Sequence, residues 1–253
     1  MATNRTVDGE QRRAAIMAAI EAEGSARLAE LAAELDVSEM TVRRDLDDLE
    51  LAGQLRRVRG GAVAVERPRD FGERRARRPR AKQVIARKAL ELLPTSGAVA
   101  FDASSTVGTL AAHLDARPKL SIVTNSVDNY ATLRQSHAGR AVLTGGEPEP
   151  STGSLVGPIA CRGAESMLYQ AFVHSSSGFD AELGTSETSL DESEVKQVFA
   201  RRSSRVLLLI DSAKLGGRSV AAAFEAAQID TLVTELDPDD ARLDPFRALV
   251  DIR

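Results

Sequence analysis

A single cysteine, Cys161, serves a chain of 253 residues. That excludes an intramolecular disulfide and a cysteine-based zinc site, and Cys161 is expected as a small buried residue. Histidine is almost as scarce. His113, His137 and His174 share no metal-ligand spacing, so no metal is expected, and no motif asks for a cofactor. Long apolar runs are missing too. The longest, such as Val206-Leu-Leu-Leu-Ile210, are strand-sized, far short of the roughly 18 residues needed to span a bilayer, and no membrane partner is expected. The opening Met-Ala-Thr-Asn-Arg-Thr lacks the apolar core of an export signal, which points to the cytoplasm. What remains is an ordinary globular composition, 43% hydrophobic and 28% charged. It is long enough for one large domain or a small one plus a medium one.

The net charge of −4 hides an asymmetry. Residues 1–82 hold 17 basic and 15 acidic side chains, residues 83–253 hold 16 and 22, and residues 52–82 alone hold 11 and 3. A polyanion would meet that basic segment first.

The residues before it carry helical periodicity. Gln11 to Glu23 presents Ile16 and Ile20 one turn apart, Gly24 stops the helix, and Ser25 is placed to start the next. Leu28, Leu31 and Leu35 follow at helical spacing, and Asp36-Val37 breaks it. Ser38 is a natural N-cap, since its hydroxyl can accept from a free first-turn amide. The helix it starts buries Val42, Leu46 and Leu49 and shows Glu39, Thr41, Arg43, Arg44 and Asp48 on the other side. Two helices joined by a tight turn suit a groove of DNA, the second entering N-terminus first. Ser38, Glu39, Met40, Thr41, Arg43 and Arg44 are therefore the candidates to touch double-stranded DNA, arginine being able to take a guanine bidentately. In the competing reading Arg43 and Arg44 pair with Asp47 and Asp48 on a solvated helix, and one of the two is expected to face acid. After Gly53, Leu55 and Val58 alternate with Arg56, Arg57 and Arg59. Gly60-Gly61 turns, and Ala62 to Val65 returns as a strand. Such a wing would put Arg56, Arg57 and Arg59 on flanking phosphates, adding salt-dependent affinity without reading sequence.

Residues 66–80 contain Pro68, Pro79 and seven arginines without an apolar period, and read as an exposed connection. The expected division is a DNA-binding domain over 1–65, an arginine-rich linker over 66–80 and an α/β domain over 81–253. Phe71, the one large apolar residue of the linker, is free to dock on either side. Beyond residue 98, apolar runs at 98–101, 120–123, 141–143, 171–173, 206–210 and 231–233 alternate with helical stretches at 107–114, 127–135, 161–168 and 192–200. Alternation of this kind implies a mostly parallel sheet covered by helices, with ligands beyond the carboxyl ends of its strands. Small polar clusters fall there: Asp102-Ala-Ser-Ser-Thr106, Thr124-Asn-Ser126, Gly145-Gly146, Ser175 to Asp180, and Asp211-Ser-Ala-Lys214. Each alone is an ordinary turn or cap. Five at one edge suggest an anion site at helix N-termini.

Val37-Ser-Glu-Met-Thr-Val-Arg-Arg-Asp-Leu46, with Leu49-Glu50 and Arg57-Val-Arg-Gly-Gly-Ala62 behind it, resembles the helix-turn-helix signature of the DeoR family of bacterial repressors. The second half resembles that family's sugar-phosphate-sensing domain through Phe101 to Thr106, Val123 to Ser126, Leu143 to Gly146, Ser154 to Pro158, Ser177 to Asp180, Glu194-Val-Lys196 and Asp211 to Lys214. The family often has Gly-Thr-Thr where this chain has Ser104-Ser105-Thr106, and His174-Ser-Ser-Ser177 replaces a segment usually containing Gly with Asp or Asn. The resemblance implies a ribose-5-phosphate-isomerase-like α/β domain that binds phosphorylated sugars. Ser104, Ser105 and Thr106 would then hold phosphate, and Lys214 would supply charge. Asp102, Asn125 and Asp180 would meet sugar hydroxyls, with Thr124, Ser126, Gly145, Gly146 and Gly178 lining the rim. Lys196 reads equally as a ligand group or a salt-bridged one.

The function implied is a ligand-controlled repressor of carbohydrate-metabolism genes, working as a homo-oligomer without catalytic residues. The alternative is a sugar-phosphate isomerase fused to a DNA-binding domain, for which Asp102 and Asp180 are the candidate proton carriers. Serines at 175–177 stand where such isomerases carry an acidic cluster, which favours binding without turnover. A protein-interaction module with an incidental pocket is the third reading.

Overall fold

Ile16 and Ile20, Leu28 and Leu31, and Val42, Leu46 and Leu49 recur at three- or four-residue spacing, so three helices each turn one stripe into a shared core. The computed structural model describes residues 3–23, 25–52, 54–58, 60–64, 71–114, 117–136, 139–150 and 152–253. Gly24, Gly53, Arg59 and His137 fall outside the described residues. The chain forms two compact units, Met1–Arg67 and Pro68–Arg253.

The first unit runs α1 (Thr3–Glu23), β1 (Ser25–Arg27), α2 (Leu28–Glu34), α3 (Glu39–Leu51), β2 (Leu55–Val58) and β3 (Gly61–Ala64). Ser25 does not start a helix as expected: Ser25–Arg27 is a strand antiparallel to β3. The reason is Gly61, where a Cβ would lie 2.2 Å from the Ala26 carbonyl oxygen, so only glycine lets the strands meet. Gly60, at φ +86, makes the wing turn.

In the second unit α4 (Phe71–Ala76) and α5 (Pro79–Leu92) precede a seven-stranded sheet. Its order is β15-β14-β12-β9-β4-β5-β6, and every neighbouring pair is parallel. The strands are β4 (Gly97–Phe101), β5 (Leu120–Thr124), β6 (Arg140–Leu143), β9 (Ala171–His174), β12 (Val206–Leu209), β14 (Thr231–Val233) and β15 (Asp251–Ile252). Alternation along each strand splits the core. Val99, Phe101 and Ile122 pack under α5, α6 (Ser105–Ala112) and α7 (Val127–Ser136). Ala100, Phe172 and Leu208 pack under α8 (Gly157–Glu165) and α9 (Leu190–Arg201). Two small antiparallel additions complete the unit. One pairs β7 (Glu147–Pro148) with β8 (Leu155–Val156), and the other orders β10 (Gly178–Asp180), β11 (Gly184–Glu187) and β13 (Ala221–Phe224).

The exposed connection expected over 66–80 is corrected in its second half. Residues 71–80 form α4 and the head of α5 and belong to the second unit. Phe71 stacks onto Gly108 of α6. Arg74 donates to the Ala103 carbonyl at 3.3 Å and the Thr152 carbonyl at 3.0 Å. Arg78, left-handed at φ 47, reaches Asp211 at 3.0 Å. Arg74 and Arg78 thus spend donors within the second unit, while Arg75 and Arg80 stay exposed. Cys161 is half-buried on α8 rather than fully buried. Among the described residues no helix is long and apolar enough to cross a membrane, and no cluster could hold a metal ion.

Candidate functional site

α3 starts where Ser38, extended at φ −69 and ψ 149, accepts from the Thr41 amide at 3.2 Å. Glu39, Met40, Arg43 and Arg44 are exposed beyond the cap and Thr41 is half-buried. The acids of α3 serve neighbouring elements. Asp45, only 3% exposed, receives the Arg12 guanidinium through both oxygens, one of them at 3.0 Å. Asp48 lies 3.6 Å from Arg13, and Asp47 pairs with Arg57 of β2. Neither Arg43 nor Arg44 makes an ion pair among the described residues. The expectation that one of them faces acid fails because other cations hold those carboxylates. Arg56 is exposed, but Arg57 is turned back onto α3.

At the carboxyl edge of the large sheet, β4 delivers Asp102. Its carboxylate is fully buried. It accepts from the Ser104 and Ser175 amides, each at 2.9 Å, and faces Lys196 at 3.1 Å. Burial alone would raise this carboxyl's pKa, but Lys196, His174 and the two serines outweigh it and hold it below the usual carboxylate range. Lys196 also donates to Glu187 and to the Ser175 carbonyl, both at 2.7 Å. Burial opposes its charge, but Glu187 and Asp102 prevail and raise its pKa. Asp102, Lys196 and Glu187 thus form an internal ion cluster, the salt-bridged reading of Lys196, and both Asp102 oxygens are engaged within the protein. His174 stacks on Phe172 with centroids 5.0 Å apart, and burial, aided by Lys196, pushes its pKa down to about 3.

Ser104 caps α6 by accepting from Val107 N at 3.2 Å, leaving the first-turn amides of Ser105 and Thr106 outside the helix's own ladder. Beside them stands Lys82 of α5, 4% exposed, which donates to Ser105 Oγ at 3.1 Å and to the Arg74 carbonyl. Burial pushes its pKa down to about 8, with Lys214 the next cause and Arg74 and Arg77 adding to it. Lys214 donates to the Ser176 carbonyl at 2.7 Å, and burial lowers its pKa as well. Neither amine forms an ion pair among the described residues.

Asn125 donates to the Leu155 carbonyl, and Asn129 to the carbonyls of Asp102 and Ser104. The side-chain oxygens of both asparagines, and of Ser175 and Ser176, are buried without a hydrogen-bond partner among the described residues. Thr124 accepts from the Ser126 amide, and Ser126 caps α7 through Asn129 N.

The remaining predicted residues do structural work. Asp180 accepts from the Glu182 and Leu183 amides and from Arg218, so its oxygens are committed. A Cβ on Gly178 would strike the Gly217 carbonyl, and one on Gly146 the Val156 carbonyl. Gly178 and Gly146 therefore serve close backbone packing. Gly145, at φ +76, passes the chain against Ile159 of α8.

Family comparison matches the DeoR-like helix-turn-helix domain over residues 12–68 and the DeoR C-terminal sensor domain over residues 77–236. The chain belongs to the DeoR family of DNA-binding transcriptional regulators. It is 32% identical to a lactose phosphotransferase system repressor of Streptococcus mutans, over 91% of this chain and 94% of that protein. It is 31% identical to an L-fucose operon activator of Haemophilus influenzae, over 84% and 86%. Among solved structures, ribose 5-phosphate isomerase A of Neisseria gonorrhoeae is similar at 15% identity and a TM-score of 0.37, covering 54% of this chain and 53% of that one.

For this DeoR-family chain the residue missed by sequence reasoning is Lys82. A signal for it existed: Lys82 lies on the stripe of Ile85, Ala86 and Ala89, so a charge sits where an amphipathic helix keeps its apolar face. Asp45 stands on the stripe of Val42, Leu46 and Leu49 in the same way.

Proposed function

We propose that the protein represses carbohydrate-metabolism genes as a cytoplasmic homo-oligomer on operator DNA, and that a phosphorylated sugar or related metabolite releases it. One observation carries the effector class. Lys82 is buried and Lys214 half-buried, neither amine has an ion-pair partner among the described residues, and Lys82 touches the first turn of α6. A desolvated ammonium is costly unless an anion meets it, and a helix N-terminus favours the same charge. The unspent oxygens of Asn125, Asn129, Ser175 and Ser176 supply hydrogen bonds for hydroxyls. In this reading Ser104, Ser105, Thr106, Lys82 and Lys214 take the phosphate. Arg74, whose carbonyl Lys82 now holds, links the site to α4, so recruiting Lys82 to a phosphate loosens that helix.

Binding without turnover is favoured because Asp102 and Asp180, the candidate proton carriers, have their oxygens committed. The names of the two relatives, a lactose-system repressor and a fucose operon activator, support control of sugar genes. The test is an operator-binding titration with and without pentose and hexose phosphates, with the unphosphorylated sugars as controls. Release is expected from one phosphorylated sugar class only. A response to neutral sugars alone would sink the phosphate site, and conversion of the added sugar phosphate would sink the non-enzyme reading.

A further inference from the structure

We infer that Arg57 is a positioning residue rather than a phosphate contact. Clamped to Asp47 and Glu50 of α3, it ties the wing to the recognition helix and withholds its charge from non-specific DNA. The inference rests on the DNA-reading role of α3.

Three observations support it. The guanidinium of Arg57 pairs with Asp47. Its backbone N–H donates to Glu50 Oε1 at 2.7 Å, so main chain and side chain are held by acids seven and ten residues earlier, respectively. Its Nε is buried with no hydrogen-bond partner among the described residues, whereas an arginine reaching for phosphate keeps its whole fork in solvent. The strand alternation of β2 places Arg56 on the opposite side, exposed, and Arg56 makes no ion pair among the described residues. Two adjacent arginines of one wing therefore have different tasks.

The physical consequence is a gain in discrimination. A free wing arginine attracts every duplex alike, because phosphate charge carries no sequence. An arginine neutralised by Asp47 adds nothing to that attraction. It fixes where the wing stands relative to α3, so the wing meets phosphate in register when α3 is seated.

The test uses the full-length protein, its best duplex from in vitro selection, and a random-sequence duplex of equal length, with affinities measured over a range of salt. Arg56→Ala should weaken both duplexes alike and flatten the slope of log K against log salt by about 0.9. Arg57→Ala should leave the slope on random DNA unchanged and lower affinity for the selected duplex about three- to tenfold more than for the random one. Asp47→Asn, a half-exposed and conservative change, frees Arg57. It should raise affinity for random DNA about three- to tenfold and steepen the slope by about 0.9. Simple destabilisation could not strengthen random binding in this way. Equal losses on both duplexes with a flattened slope for Arg57→Ala would overturn the clamp, as would unchanged random binding for Asp47→Asn. A wild type that selects no duplex would overturn the DNA-reading role of α3 and the clamp with it.

Discussion

The ring of Phe71 rests on Gly108: a methyl group at Gly108 would stand 2.8 Å from Phe71 Cζ and 2.5 Å from the Asn129 side-chain oxygen. An aromatic at the head of α4 thus seals against bare backbone at the second turn of α6, next to the proposed anion site.

Gly108→Ala should therefore cost about 1–3 kcal/mol through overpacking and unseat α4 first, since that helix is short. Denaturant unfolding gives the first number. Tryptic cleavage after Arg74, Arg75 and Arg77 should speed up in native buffer, and unchanged cleavage would separate Phe71 from any hold on α4.

Lys82→Met should remove the response to phosphorylated sugar while leaving apo stability equal or higher, because burying that ammonium is costly to begin with. Lys214→Ala should likewise give constitutive operator binding. A Lys214→Ala protein that responds with an unchanged midpoint would mean the anion binds elsewhere.

Effector affinity should fall as pH rises through about 8, where Lys82 loses its proton in the folded protein. An anion prefers the charged amine, so binding below that pH keeps the proton and binding above it must take one up. For the apo protein the sign is opposite. The folded-state value is depressed below the ordinary 10.5, so the unfolded chain binds more protons between the two values. The Lys82 contribution to stability therefore rises with pH across that window. Calorimetry in buffers of different ionisation enthalpy counts the proton uptake, and Lys82→Met should abolish it.

Arg43→Ala or Arg44→Ala should cost about 1–3 kcal/mol on the operator and relax base preference at one position. Competition against random DNA is the measurement, and equal loss on both would move base reading off these residues.

Lys196→Met should destabilise the sensor domain by about 3–5 kcal/mol, since it leaves Asp102 as an unpaired buried carboxylate beside Glu187, whose carboxyl burial already pushes up to about 7. Thermal unfolding of the variant checks this, and recovery at acidic pH, where those groups take protons, should accompany it.

The large sheet was legible in the sequence because its strands are continuous apolar runs, buried on both faces by helices, and each run from 98–101 to 231–233 became a strand. The helix-turn-helix was legible through leucine and isoleucine spacing and the Ser38 cap. Four things were not. The strand at Ser25–Arg27 depends on the space Gly61 leaves, a tertiary fact. α4 has one large apolar residue, Phe71, so no period announced it. Asp102 and Asp180 looked like free carboxylates because the cations that hold them, Lys196 and Arg218, lie far along the chain. Lys82 was hidden by being counted among a basic run rather than read as a charge on an apolar stripe.

The pairing of Val99 with Ala171 has a kinetic consequence. The central strands β4 and β9 are neighbours in the sheet yet far apart along the chain, and closing so long a loop costs entropy before any contact repays it. The winged unit needs only short-range closures of its three helices and hairpin. In refolding, the two units should appear as separate phases, the winged unit early and the sheet late. A chain in that interval holds a finished reading head with no means of being told to let go.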